Sequence, residues 1–257
     1  MDDYRNADKS FTSLDLSGDD GPLSPLDKLP KPGCDDSLVA FLKAAALTPS
    51  AQQCRDAMAL AQMSGVSPEQ LCEHFIPIVA RELGAGWCED ALSFADVTIG
   101  TARLQSMLRD LQRVSFESRT PEPNASTVLL VVPENTHHTL GAMVLSGQLR
   151  RNGLSVRLML GATPDDVKYA CDNSAFDAVF VSAVRGESLE TLRRMVESVR
   201  SSTSASTIPV VVGGTLLELQ PDIAALTGAD YVTSIAEEAI TLCNLKTKPI
   251  PANMMGQ

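Results

Sequence analysis

The sequence predicts a mixed α/β chain in two parts, a helical bundle over residues 36–117 and an open parallel sheet over 127–246. Three observations carry that prediction. Apolar residues recur at helical spacing as far as residue 117. Beyond it, short β-branched runs alternate with helical stretches five times, the pattern of a sheet covered on both faces. Between the two lies Ser118-Arg119-Thr120-Pro121-Glu122-Pro123-Asn124-Ala125-Ser126, a linker by composition. With five β/α units in about 120 residues, the second part is flavodoxin-like, a fold that binds ligands beyond the carboxyl ends of its strands.

The bundle reads as four helices. Leu38, Val39, Phe41, Leu42 and Ala45 start the first, which Pro49 ends. The second spans 51–63 and is closed by Gly65. Ser67-Pro68-Glu69-Gln70 opens the third, with Ser as N-cap, Pro at the first helical position and Gln completing a capping box. That helix runs through Leu71, Phe75, Ile78 and Val79 to Leu83, with a kink expected at Pro77. The fourth follows Asp90 and carries Phe94, Val97, Ile99, Leu104, Met107, Leu108 and Leu111. Short connections suggest an antiparallel arrangement. In the second part, strands are expected at 127–132, 154–160, 178–184, 209–212 and 231–232. Helices are expected at 139–152, 164–173, 187–201, 217–226 and 235–245. Residues 1–35 read as a disordered acidic tail, and 247–257 as a second tail.

Composition narrows the function classes. The 257 residues are 44% hydrophobic but only 4% aromatic, so the core must be aliphatic and the single Trp87 stands apart. A net charge of −11 argues against direct binding to nucleic acid, which rests on Lys and Arg contacts to phosphate. No apolar run reaches the roughly 20 residues of a membrane span, and the polar, acidic N-terminus is unlike a signal peptide. A cytoplasmic location is expected. Six scattered cysteines without a CxxC pair then read as reduced thiols.

Chemistry concentrates after the first strand. Pro133 is followed by Glu134, Asn135, Thr136, His137 and His138, then Gly141 and a helix. Neutral imidazole is a good metal ligand, and this is where an α/β sheet places its ligand. By spacing alone, polar loop residues capping a helix would look the same.

His138-Thr139-Leu140-Gly141 resembles the His-x-x-Gly part of the Asp-x-His-x-x-Gly signature of B12-binding domains. Ser182-Ala183-Val184 and Gly213-Gly214 stand, in the right order, where that family places its tail-pocket Ser-x-Leu and Gly-Gly. Thr233, after the fifth strand, joins this set by position. The resemblance implies a cobalamin whose cobalt takes His138 as lower ligand, with His137 in reserve, and whose nucleotide tail enters a slot beside the sheet. Gly84-Ala85-Gly86-Trp87 resembles the end of the cap bundle of methionine synthases and light-sensing B12 regulators. There the Trp covers the upper face of the corrin; the competing reading of Trp87 is a bundle core residue. Two departures stand out. Thr136 replaces the signature Asp, and Val97-Thr98 replace the Glu-His of the regulators' Trp-x9-Glu-His.

Leu129-Leu130-Val131-Val132-Pro133, the run from His137 to Arg151, and Phe94-Ala95-Asp96-Val97-Thr98-Ile99-Gly100 are similar to AerR/PpaA photosynthesis regulators. They are also similar to the tetrapyrrole-sensing domain of AppA. That resemblance, over residues 36–246, implies a non-enzymatic, light-linked antirepressor acting on a CrtJ/PpsR-type repressor. It places the light response in loss of an upper alkyl group from cobalt. It also implies that cobalamin, held between Trp87 and His138, joins bundle to sheet across a hinge at 118–126. Rival readings are a corrinoid carrier of a methyltransferase, which should keep the acidic partner that Thr136 replaces, and a haem-binding redox sensor. A phosphoacceptor receiver fails for want of an acidic cluster and of an Asp where Ser182 stands.

Overall fold

The computed structural model describes residues 35–117, 125–136, 138–205, 207–218 and 222–247. The acidic tail, most of the connector, His137 and the last ten residues lie outside the described residues.

The bundle consists of α1 (Asp35–Leu47), α2 (Ala51–Met63), α3 (Pro68–Gln70), α4 (Ile76–Cys88) and α5 (Phe94–Glu117). Its caps are those the sequence announces. The Ser50 hydroxyl accepts from Gln53 N, and Ser67 and Gln70 form the reciprocal capping box. Gly65 turns the chain at φ +93°, a region open to glycine. The helix is irregular close to Pro77, where the kink is expected. Irregularity falls just ahead of it, as a π-helical turn over Leu71–Phe75, and α4 then continues to Cys88 rather than stopping at Leu83. Proline near the start of α4 removes an N–H there, and the wider turn before it absorbs the mismatch. The extra turn of α4 carries Trp87.

Five parallel strands follow: β1 (Thr127–Pro133), β2 (Ser155–Ala162), β3 (Ala178–Ser182), β4 (Val210–Gly213) and β5 (Tyr231–Val232), in the order β2-β1-β3-β4-β5. Helices α6 (Leu140–Arg151), α7 (Pro164–Asn173), α8 (Leu189–Arg200), α9 (Ile223–Thr227) and α10 (Ala236–Leu242) cover it. Strand periodicity divides the core. Leu129, Val131, Val179, Val181, Val210 and Val212 pack against α7, α8 and Ile223 of α9. Val128, Leu130, Phe180 and Val211 pack on the other face against Ala142, Leu149, Ala239 and Ile240.

Most predicted boundaries shift by one to three residues, and two departures shape the strand ends. β3 stops at Ser182, because Val184 opens a turn in which its carbonyl accepts from Glu187 N at 3.0 Å and Gly186 takes φ +87°. The helix expected at 217–226 is a 3₁₀ turn, Thr215–Glu218, and the short α9. That turn is drawn toward β3 by Leu216 N donating to the Ala183 carbonyl at 3.2 Å. α9 ends where Gly228 adopts φ +77°.

The bundle sits on α6. Leu140, Met143 and Val144 belong to the bundle's own apolar core, together with Leu104, Met107, Leu108 and Leu111 of α5. The opposite side of α6 faces the sheet, so this helix is buried from two directions. Gly147 makes the close approach possible, since a Cβ there would lie 2.4 Å from Gln112 Nε2. Gln112 Nε2 donates to the Met143 carbonyl at 3.0 Å, and Arg151 of α6 pairs with Glu73 of the π turn. The two parts expected to be joined by cofactor thus already share an apolar core.

Candidate functional site

Strand order creates the site. β2 and β3 flank β1 on opposite sides, so the chain reverses direction there, and the loops after β1 and β3 lie side by side. The loop after β1 is closed by Glu134 N donating to the Ala162 carbonyl at 3.0 Å and by Asn135 at φ +63°, a conformation Asn tolerates. Thr136, half-buried, donates its hydroxyl hydrogen to Glu187 Oε2 at 2.6 Å, across to the loop after β3. Thr139 accepts from Gln105 Nε2 of α5 at 3.0 Å. The backbone around His138 is therefore tied on one side to the β3 loop and on the other to the bundle, while His138 itself is exposed. Apart from its chain neighbours and its own helix backbone, no atom of the described residues lies within 4 Å of the position a Cβ on Gly141 would take. The loop thus presents an accessible imidazole beside open space.

The glycine pair serves the frame of the site. A Cβ on Gly213 would stand 2.4 Å from the Thr233 carbonyl oxygen. On Gly214, at φ +132°, it would stand 2.3 Å from the Ala183 carbonyl. Ala183 N donates to the Gly213 carbonyl at 2.7 Å and Thr233 N to that of Val212 at 3.2 Å. Glycine is required here because three strand ends converge backbone to backbone. Ser182 is half-buried opposite Gly213 in register. Val184 lies half-buried in the turn beyond. Thr233 is buried and already committed, its hydroxyl donating to Glu238 and accepting from Ile235 N.

Trp87 is not a core residue: its exposure is 51%, and the ring it meets is Phe94, at 6.3 Å and 62°. Local chemistry explains the pairing. The Gly86 carbonyl accepts from both Ala91 N and Leu92 N, and Asp90 at φ +56° turns the chain. Ser93 and Asp96 then cap α5 reciprocally: Ser93 N donates to Asp96 Oδ2 at 3.0 Å, and Asp96 N to the Ser93 hydroxyl at 3.1 Å. The side-chain and backbone hydrogen bonds from Ser93 hold the Asp96 carboxyl below its ordinary pKa. Phe94 is left on the first turn of α5, 71% exposed. From there to Gln105, which holds the β1 loop, is about 16 Å at 1.5 Å per residue.

Val97 and Thr98 stand on the same turns. Val97 packs against the bundle core, and the Thr98 hydroxyl donates to the Phe94 carbonyl at 2.8 Å. The sequence does not mark Phe94, Gln105 or Glu187 as site residues. Phe94 looked like one more apolar helix position, although the Ser93-x-x-Asp96 cap ahead of it marks a first-turn residue. Nothing in spacing connects Gln105 or Glu187 to a loop 34 or 51 residues away.

Among the described residues no three His, Cys, Asp or Glu side chains gather in a way that would hold a bare metal ion. A metal carried by a macrocycle needs only an axial donor from the protein. An exposed imidazole, the open space at Gly141 and a pair of exposed aromatic rings are donors and surfaces of that kind. Among the described residues no helix is long and apolar enough to cross a membrane.

Comparison with known proteins agrees with this chemistry. The B12 binding domain family matches residues 126–243. The 20.5 kDa protein of the bchF-crtJ intergenic region of Rhodobacter capsulatus is 35% identical over 169 residues, 66% of this chain and 88% of that protein. The HTH-type transcriptional repressor CarA of Myxococcus xanthus is 28% identical over 179 residues, 68% of this chain but only 57% of CarA. In fold, the monomethylamine corrinoid protein of Methanosarcina barkeri superposes with a TM-score of 0.65 at 13% identity, covering 81% of this chain and 98% of that one. With the sheet, the His-x-x-Gly loop and a relative of this coverage in agreement, the chain belongs to the B12-binding domain family, and its likeness to the bchF-crtJ protein accords with the AerR/PpaA-type resemblance of its motifs.

Proposed function

We propose that this protein is a cobalamin-dependent, light-linked antirepressor that works by contact with a CrtJ/PpsR-type repressor, and that it is not an enzyme. The observation that carries the reading is the loop after β1, which offers an exposed His138 at the switch point of a B12-family sheet. The relative from the bchF-crtJ region supports a regulatory setting, and the likeness to CarA points the same way.

In this reading His138 would hold the cobalt, with His137 as the second candidate. Ser182, Val184 and the Gly213-Gly214 backbone border the slot for the nucleotide tail, and Gly141 leaves it room. Trp87 and Phe94 offer an apolar surface to the ring. Bound cobalamin supplies a light-labile cobalt–carbon bond. The chain's own part is to pass a change at that site to its surface. His138 lies between two hydrogen bonds, one of which runs through Gln105 into α5. Any displacement of the loop therefore biases the bundle, and a partner that binds one bundle position better selects it.

The test is to incubate full-length protein with adenosylcobalamin in the dark, illuminate it, and follow both the visible spectrum and repressor binding. A stable complex whose spectrum and repressor affinity change together on illumination is expected. No stable complex with adenosyl- or hydroxocobalamin, in dark or light, would defeat the proposal.

A further inference from the structure

A histidine that ligates a metal through one ring nitrogen carries an N–H on the other. A carboxylate behind that N–H fixes the ring and makes it a better donor. The β1 loop has no Asp to play this part, because Thr136 stands two residues before His138. A hydroxyl alone is a weak substitute. The Thr136 hydroxyl, however, is not alone: its hydrogen is given to Glu187 Oε2 at 2.6 Å. A hydroxyl that donates to a carboxylate has its oxygen lone pairs free for an incoming N–H, and the anion polarises it into a stronger acceptor.

Glu187 is well placed to stay there. It ends the turn closed by its own N–H on the Val184 carbonyl, next to Gly186 at φ +87° and just before Ser188 caps α8. β1 and β3 are neighbours in the sheet, so the loop bearing Glu187 is fixed beside the loop bearing His138. The carboxylate missing at position 136 is present on the next loop, bonded to the Thr136 hydroxyl.

We infer that Glu187 is a positioning residue for the metal site, supplying through Thr136 the carboxylate that orients His138 and strengthens it as a cobalt ligand. This rests on the reading of His138 as that ligand. It divides between two loops a task that one acidic residue could do alone, and so ties ligand strength to the spacing of the β1 and β3 loops.

The test uses full-length protein and hydroxocobalamin, with the visible spectrum reporting the fraction of cobalt coordinated by histidine and thermal melting of the apoprotein reporting the fold. Glu187→Gln keeps an acceptor for Thr136 and removes the charge. It is expected to melt like the wild type and to lower the histidine-coordination constant by about 10-fold, within the range for loss of such a partner. Thr136→Asp placed in the Glu187→Gln background returns a carboxylate to the loop and should restore coordination, which a merely structural role for Glu187 would not predict. A Glu187→Gln spectrum identical to wild type, or a double variant no better than Glu187→Gln, would overturn the inference while leaving His138 as ligand. If His138→Ala gives the wild-type spectrum, the ligand reading itself fails, and Glu187 with it.

Discussion

The sheet half and the bundle half of the proposed site are built on opposite principles. On the sheet side three threonines near the strand ends are already paired. Thr136 is bonded to Glu187, Thr139 to Gln105, and Thr233 to Glu238 and Ile235 N, while a Cβ on Gly213 or Gly214 would run into a neighbouring carbonyl oxygen. On the bundle side, Trp87 and Phe94 meet only edge to face and leave most of their surface to solvent. One half is pre-organised by hydrogen bonds and close backbone packing; the other offers unspent apolar area. Binding to such a site should draw geometry from the first half and hydrophobic affinity from the second.

The largest effect should come from disturbing the packed half. Gly214→Ala forces a Cβ to within 2.3 Å of a carbonyl oxygen at φ +132°. About 2 kcal/mol or more of stability should be lost, together with cobalamin binding. Gly141→Ala is its counterpart, because among the described residues nothing beyond its own helix and chain neighbours lies within 4 Å of the added methyl. Its apoprotein should melt as wild type, and only cobalamin affinity should fall. Calorimetry and titration of the two variants separate frame from slot; equal melting temperatures for both would break the comparison.

Next in size is His138→Ala. Loss of a direct ligand should exceed the roughly 10- to 100-fold cost of losing a ligand's supporting partner, with the stability of the apoprotein unchanged because the side chain is exposed. A larger loss in His137→Ala than in His138→Ala would move the ligand by one residue.

These expectations mark what was legible in the sequence. Caps, turns and strand alternation are local, so Ser50, Ser67-Pro68 and the five short strand runs declare themselves. The His-x-x-Gly loop and the glycine pair could be placed because they lie at strand ends, where an α/β sheet keeps its ligands. The seating of the bundle on α6 was not legible, for a helix buried from two sides reads as merely apolar until its second neighbour is known. Nor was Glu187. Its partner lies 51 residues away, and only strand order brings the two loops together. Trp87 was identified by rarity, but its pairing with Phe94 depends on where α4 ends, and the sequence placed that end one turn too early.

On the apolar half, Trp87→Ala removes a ring that contributes little to the apoprotein core. Cobalamin affinity should fall by about 10-fold, the equivalent of about 1.4 kcal/mol, and part of that loss should appear in Phe94→Ala as well. An unchanged affinity in Trp87→Ala would detach the bundle from the site.

The smallest effect needs no substitution. Cys88 follows Trp87 directly and is exposed, whereas burial is the main cause that pushes the thiols of Cys72 up to about 12 and of Cys171 and Cys243 up to about 11. Thiolate is the reactive form, so an alkylating reagent near pH 8 should modify Cys88 well ahead of these three. If the corrin lies against Trp87, cobalamin should slow that modification at Cys88, read by mass spectrometry of its own peptide, and leave the slow three unchanged. Equal protection everywhere would mean a general tightening of the protein, and no protection at Cys88 would place the ring away from the bundle. The labelling rate thus distinguishes a cap that covers the cofactor from one that only carries the signal away through α5.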